Sequence, residues 1–341
     1  MSMNETVDLR TGSKIVETVA FAVLLLALIS AISLSASDSE AAGETSGTCG
    51  DTLVWSIEPA TGHLTIVGSG DMYEYGSGSG STNWNYTVRS VSLPEGLTSI
   101  GKYAFKYCTE LVSISIPSSV SIIDNGAFIG CSSLGSVTIS DSVTSIGKDA
   151  FRKCSSLTSV SIGRNAALGY GAFAECPKAT SLYYNSSAMT GFGNASTMTF
   201  AGFGTQGNGV AVTFGENVTL VPKWMFRGAG YVTSVEFSDS VETIGVGAFK
   251  DQTGLTSVSF PSSVETISSD AFRGGSGLRS ITIPDTVKTV DSFAFSECSS
   301  LTSVSVGKAA YLDTGPCPSA TMPLPSTTTP APWQGSATSA R

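Results

Sequence analysis

The chain has 341 residues, enough for one or two ordinary domains. Its net charge of −9, with no basic run, argues against a nucleic-acid partner, which needs clustered Lys and Arg. Apolar residues make up 41% and charged residues only 13%, so a core can form while Gly, Ser and Thr supply a polar, largely uncharged surface.

Residues 1–18 read as a cytoplasmic N-terminal region. Residues 19–36, VAFAVLLLALISAISLSA, carry no charge. Eighteen helical residues at about 1.5 Å each approach the roughly 30 Å hydrocarbon core. Arg10 and Lys14 precede this stretch, and Asp38, Glu40 and Glu44 come after it, which places the bulk of the chain outside. Two readings stand side by side. One is a cleaved signal peptide with a small-residue site near Ala36 or Ala42; the other is an uncleaved anchor helix that would make the membrane a partner. Both put the protein outside the cell or on its surface. Residues 37–48 form a linker.

Residues 49–90 contain two candidate strands, LVWSI and HLTIVG, joined by a Pro-Ala-Thr-Gly turn. A stack of repeats needs its terminal apolar face covered, so this hairpin and Trp84–Tyr86 are assigned as an N-terminal β cap.

Repetition begins at residue 91. Phe105, Phe128, Phe151, Phe173, Phe226, Phe249, Phe272 and Phe295 stand 23, 23, 22, 53, 23, 23 and 23 residues apart. The gap of 53 reads as one period plus an insertion of 30. Around each Phe the apolar positions keep register. Ala or Met precedes it, and an aliphatic residue from Ile100 to Val290 stands five before. Leu stands six after in six of the eight repeats, from Leu111 to Leu301. Each Leu opens a run of period two: LVSISI at 111–116 directs Leu111, Ile114 and Ile116 inward and Ser113 and Ser115 outward. One coil cannot bury its own apolar face, but stacked coils can, with parallel strands about 4.8 Å apart. The expected fold is a β-rich, right-handed solenoid with repeats at 91–178 and 210–310, preceded by one hydrophobic helix.

The pattern, shown by LVSISIPSSVSIIDNGAFIGCSS at 111–133, resembles the BspA-like class of leucine-rich repeats over roughly 91–178 and 210–306. The resemblance extends to the opening segment. It implies a microbial cell-surface protein linked to adhesion to host or neighbouring cells. The commoner leucine-rich pattern carries Asn after the strand; here that place is Ser, so no asparagine ladder is expected.

Residues 179–209 interrupt the array and are dense in Gly and aromatics. They read either as degenerate coils that still stack or as a loop platform presenting Tyr183, Tyr184 and Phe192 to a sugar. From 311 to 341 Pro, Thr and Ser dominate, and a disordered or stalk-like tail is expected.

Chemistry-bearing motifs are sparse. Seven cysteines include five placed three after a repeat Phe; that spacing tracks the period and not a metal motif, so they read as small buried hydrophobes. His63 is the one histidine and has no partner motif, and the carboxylates are scattered. No P-loop, EF-hand or dinucleotide fingerprint occurs. No catalytic residue, metal or cofactor is therefore expected, and the chain is read as non-enzymatic. The candidate binding surface is the outward strand row: Ser113, Ser115, Ser136, Thr138, Ser159, Ser161, Ser257, Ser259, Ser280 and Thr282. Its hydroxyls donate and accept without charge, which suits a protein or glycan on another cell or in the matrix. The alternative is a structural spacer of the cell envelope, with Ser and Thr serving only solubility and cross-strand pairing.

Overall fold

A computed structural model describes residues 45–76, 84, 87–188, 199–205, 207–308 and 311–312. The N-terminal region, the apolar segment 19–36, most of the linker, and the tail beyond Leu312 lie outside the described residues. The chain divides into two compact units, Met1–Gly47 and Thr48–Arg341. The second unit is a parallel-strand solenoid of about 10 turns spaced about 23 residues apart. Among the described residues no helix is long and apolar enough to cross a membrane.

Each coil makes three runs. The first is the anticipated strand. Ser136–Ile139, Ser159–Ile162, Ser181–Tyr184, Val210–Phe214 and Val232–Glu236 pair in parallel, and Ser257–Ser259, Ser280–Ile283 and Ser303–Val306 form a second sheet. Period two explains them, because Val137, Ile139, Val160 and Ile162 are buried while their neighbours face out. Residues 111–116, expected to be a strand, are not one. The N–H of Val112 donates to Arg89 O at 3.4 Å and its carbonyl accepts from Gly135 N–H at 3.1 Å, which bridges coils without building a ladder. Ile114 and Ile116 are only half-buried, so the apolar face that would press this run into register is incomplete.

The second run is a column of short strands over the S-V-x-x-I stretch, as at 119–123, for which the sequence predicts no strand. Mostly two residues long, they run from Ser69–Asp71 and Gly96–Ile100 through Ile122–Ile123 to Ala167–Leu168, and again from Leu220–Val221 to Tyr311–Leu312. The aliphatic residues five before each Phe are its buried members. Where the residue before the preceding Val is Ser or Thr, its hydroxyl donates back one coil: Ser119 to Leu97 O (2.6 Å), Ser142 to Val120 O (3.0 Å), Ser263 to Val241 O (2.7 Å). These bonds satisfy backbone carbonyls that a buried turn would otherwise strand.

The third run carries Phe. The N–H of each Phe donates to the carbonyl of the residue before the next Phe: Phe105 to Ala127, Phe128 to Ala150 and Phe151 to Ala172, each at 2.7 Å. The rings stack 5.0–5.1 Å apart from Phe105 to Phe173, with interplanar angles of 1–7°. Wherever the run is described, the backbone is left-handed two residues before and two after Phe, as at Asp149 and Lys153 (φ 55° and 64°) and at Asp270 and Gly274 (φ 58° and 73°).

The interruption at 179–209 contains a coil. Ser181–Tyr184 pairs with Ser159–Ile162 on one side and Val210–Phe214 on the other. Phe200 stacks between Phe173 (5.7 Å) and Phe226 (5.9 Å), and Gly202 takes the left-handed place two residues later. The 53-residue gap is therefore 27 plus 26, two long periods, and not one period plus an insertion of 30.

At the N-terminal end, Val54–Glu58 and His63–Val67 form an antiparallel hairpin around Pro59–Gly62, and His63–Thr65 pairs in parallel with Ser90–Ser92. Trp84 is buried edge-on to Trp55 (5.0 Å) and Tyr75 (5.7 Å). Its indole N–H donates to Ala104 O at 3.0 Å. In later coils that carbonyl accepts from a Phe N–H; here the indole takes its place.

Candidate functional site: the strand face

Because the strands pair in parallel, with one register shift between Val210 and Ala211, the outward side chains form two rows. One runs Ser136, Ser159, Ser181, Ala211 and Ser234; the other runs Thr138, Ser161, Tyr183, Thr213 and Glu236. In the second sheet Ser257, Ser280 and Ser303 align, as do Ser259, Thr282 and Ser305. Among these side chains Glu236 alone is charged. Ser136, Thr138, Ser257, Ser259, Ser280 and Thr282 are exposed, and Ser159 and Ser161 are half-buried. Ser113 and Ser115 are exposed as well, on the run that is not a strand.

The aromatic platform comes apart under the same alternation. Tyr183 faces out and is 40% exposed, in line with Ser161 and Thr213. Tyr184 does not belong to a platform: it is 0% exposed and packs edge-on to Phe214 at 6.1 Å. Its register with Ile162, an inward residue, places it there, and that alternation was the available signal in the sequence. Phe192 lies outside the described residues.

The comparison with family models decides what kind of solenoid this is. The model for the BspA-type leucine-rich-repeat region matches six copies over residues 81–200 and 203–313, more than half of the chain. The chain belongs to that family.

Solved structures similar to this BspA-type chain include a leucine-rich cell surface protein from Faecalibacterium prausnitzii (18% identity, 80% of this chain and 96% of that one, TM-score 0.28). Leucine-rich repeat proteins from Bacteroides ovatus (20%, 74% and 93%, 0.36) and Eubacterium ventriosum (19%, 78% and 86%, 0.36) are similar too. No curated protein matches the chain. The family consists of repeat proteins that are non-enzymatic in kind.

The remaining candidates have structural partners in this BspA-type solenoid. Cys108, Cys131, Cys154 and Cys176 are free, buried and stacked in consecutive coils. The thiols of Cys131, Cys154 and Cys176 donate to the carbonyls of Phe105, Phe128 and Phe151 at 3.0–3.3 Å. Gln252 does the same in its coil, donating to Phe226 O at 3.0 Å while accepting from Val232 N–H at 3.0 Å. Burial pushes the thiols up, to about 12 for Cys176 and about 11 for Cys298, which disfavours the thiolate, the nucleophilic form. His63 pairs through Nδ1 with Ser90 Oγ (2.7 Å) and through Nε2 with Ser92 Oγ (3.1 Å), so both ring nitrogens tie neighbouring strands together.

Proposed function

We propose that this protein is an extracellular recognition module that binds a protein or glycan partner through its strand face. The observation that carries the reading is the pair of registered, exposed to half-buried and almost uncharged rows, mostly hydroxyls, with Tyr183 set among them. Solenoids commonly bind on an extended face of this kind, because a repeated backbone presents side chains at fixed spacing. Leucine-rich-repeat proteins in general bind protein partners. The surface location rests on the family and on the apolar stretch at 19–36, as a cleaved signal or as an anchor. The hairpin at 54–67, with Trp84 supplying the donor that a further coil would supply, serves as the cap at the N-terminal end.

The full chain, held in detergent, is to be tested for binding to intact cells, matrix proteins and a glycan panel. A variant carrying Ser136→Glu, Ser159→Glu and Ser257→Glu runs beside it. Saturable binding lost in the variant is the expected result. Binding that survives the three carboxylates places the site elsewhere, and the absence of any binding leaves an envelope spacer as the function.

A further inference from the structure

Away from the strand face, the Phe-bearing run carries a device that occurs twice. The first coil of the first array reads KYAFK at 102–106, and the coil that reopens the array after residue 209 reads KWMFR at 223–227. In both, a cation stands three before Phe, an aromatic residue two before and a cation one after. The aromatic residue is in the left-handed conformation, at φ 58° for both Tyr103 and Trp224. Its ring lies against the glycine of the next coil, Gly126 or Gly247, where any Cβ would run into it. Cations gather on these rings. Lys102 and Lys106 Nζ stand 5.6 and 5.3 Å from the centroid of Tyr103. Arg227 Cζ and Lys250 Nζ stand 5.9 and 5.6 Å from that of Trp224.

Packing alone does not account for the placement. The third coil keeps both cations, Lys148 and Arg152, but puts Asp149 where the ring would be, and Arg152 pairs with that carboxylate and with Glu175. Neither 102–108 nor 223–229 contains a carboxylate, whereas the coil of Phe293, aromatic at the same place, holds Glu297 and lacks the flanking cations. A chain of net charge −9 thus sets two cations on each of these rings, where Tyr107, Tyr170 and Phe293 each carry one among the described residues. At the second, Lys223 and Arg227 are exposed and Trp224 is partly so; Asp251 and Asp270 border the cluster, the latter 3.8 Å from Lys250.

We propose that these clusters are two subsites, five rungs apart along the Phe column, for an anionic polysaccharide. A sugar ring packs on the aromatic face, and its sulfate or carboxylate sits between the flanking cations, which a ring with a cation on each side favours over an extended peptide. The main site is Lys223, Trp224, Arg227 and Lys250; Lys102 and Tyr103 form the lesser one, since Lys106 is largely buried.

The test is binding of the full chain in detergent to dextran sulfate and to polygalacturonate, with neutral dextran, polyglutamate and polyuridylate as controls. Saturable, salt-sensitive binding to one or both acidic polysaccharides and none to neutral dextran is expected; which of the two binds identifies the anion. K223Q/R227Q should weaken it at least tenfold. W224L, at unchanged charge, should weaken it severalfold, and W224Y should restore most of the loss. K223Q/R227Q alters exposed side chains, so unfolding temperature should stay at the parental value and misfolding cannot mimic the result. Equal or tighter binding of polyglutamate or polyuridylate, or variants that bind as the parent does, would overturn the proposal. The strand-face variant S136E/S159E/S257E should keep acidic-polysaccharide binding, which separates failure of this site from failure of the other.

Discussion

The coils before the interruption and those after it share one backbone and fill it differently. In the first array the place three after Phe is Cys four times running; in the second it is Ala229, Gln252, Gly275 and Cys298. The inner strand position before the interruption is Ile139 and Ile162. After it, Phe214, Phe237 and Phe260 form a second aromatic column that meets the main one edge-on, as in Phe237–Phe249 at 6.0 Å. The hydrogen bonding between coils stays constant: Phe249 N–H reaches Ala271 O at 2.8 Å just as Phe128 reaches Ala150. The repeat is thus specified by its backbone ladder and its Phe rung, and the remaining core volume is interchangeable within the limits of packing.

The largest break in this comparison should come from removing a rung. Phe128 is covered on both sides by parallel rings and is fully buried. Phe128→Ala is expected to destabilise by about 3–5 kcal/mol. Phe295, the last described rung, is half-buried with Phe272 stacked on one side, and Phe295→Ala should lose only about 1–2 kcal/mol. Denaturant unfolding of the two variants tests this, and equal losses would show that the end of the column is as well covered as its middle.

The rung was also the most legible feature of the sequence, because Phe, Ala and the aliphatic positions recur at a fixed period and every recurrence marks burial. Legibility failed where the period stretched: Phe200 stands 27 residues after Phe173, and ring stacking, the Phe173 N–H bond to Thr199 O at 2.9 Å and left-handed Gly202 show that it continues the column. The short strands of the second column were hidden because two residues are too few to display alternation. In the candidate site both the hydroxyl rows and the inward turn of Tyr184 follow from period two, since adjacent Tyr183 and Tyr184 face opposite sides of one strand. The approach of Lys250 to Trp224 lay out of sight, since stacking brings together residues of neighbouring coils.

The cysteine difference between the arrays should appear at alkaline pH. Burial raises the thiols above the roughly 8.5 of an unfolded cysteine, to about 12 for Cys176. A group with a raised folded value contributes stability that is complete below the unfolded value and is lost as pH climbs through the folded one. Between about pH 8.5 and 12 the first array, with four such thiols, should therefore weaken more than the second, where Cys298 is pushed only to about 11. Amide exchange tracked across this range should show protection falling first in residues 104–176. Cys131→Ala/Cys154→Ala should flatten that fall, and an unchanged slope in this variant would assign the alkaline loss to other groups.

The smallest effect concerns the left-handed positions on either side of each Phe. The first array resolves them by alternation: Tyr103 and Tyr107 in one coil face Gly126 and Gly130 in the next, so the large ring occupies space that a side chain on the glycine would need. Lys153 breaks this economy. It is left-handed at φ 64°, exposed, and succeeded in the next coil by Glu175, also left-handed, at φ 59°. Its return is an exposed ion pair with Glu175 at 3.8 Å, worth about 0–1 kcal/mol. A non-glycine residue in this conformation forfeits about 1–2 kcal/mol, while glycine gives back part of that through the greater freedom of the unfolded chain. Lys153→Gly should therefore stabilise by about 0.5 kcal/mol, read as a small rise in the unfolding midpoint. Gly130→Lys, the reverse exchange one coil earlier, should destabilise by more than that, because the new Cβ meets the ring of Tyr107 as well as the strained backbone. If both changes are neutral, the left-handed positions are relaxed by the coil itself, and the placing of glycine opposite tyrosine reflects ring packing alone.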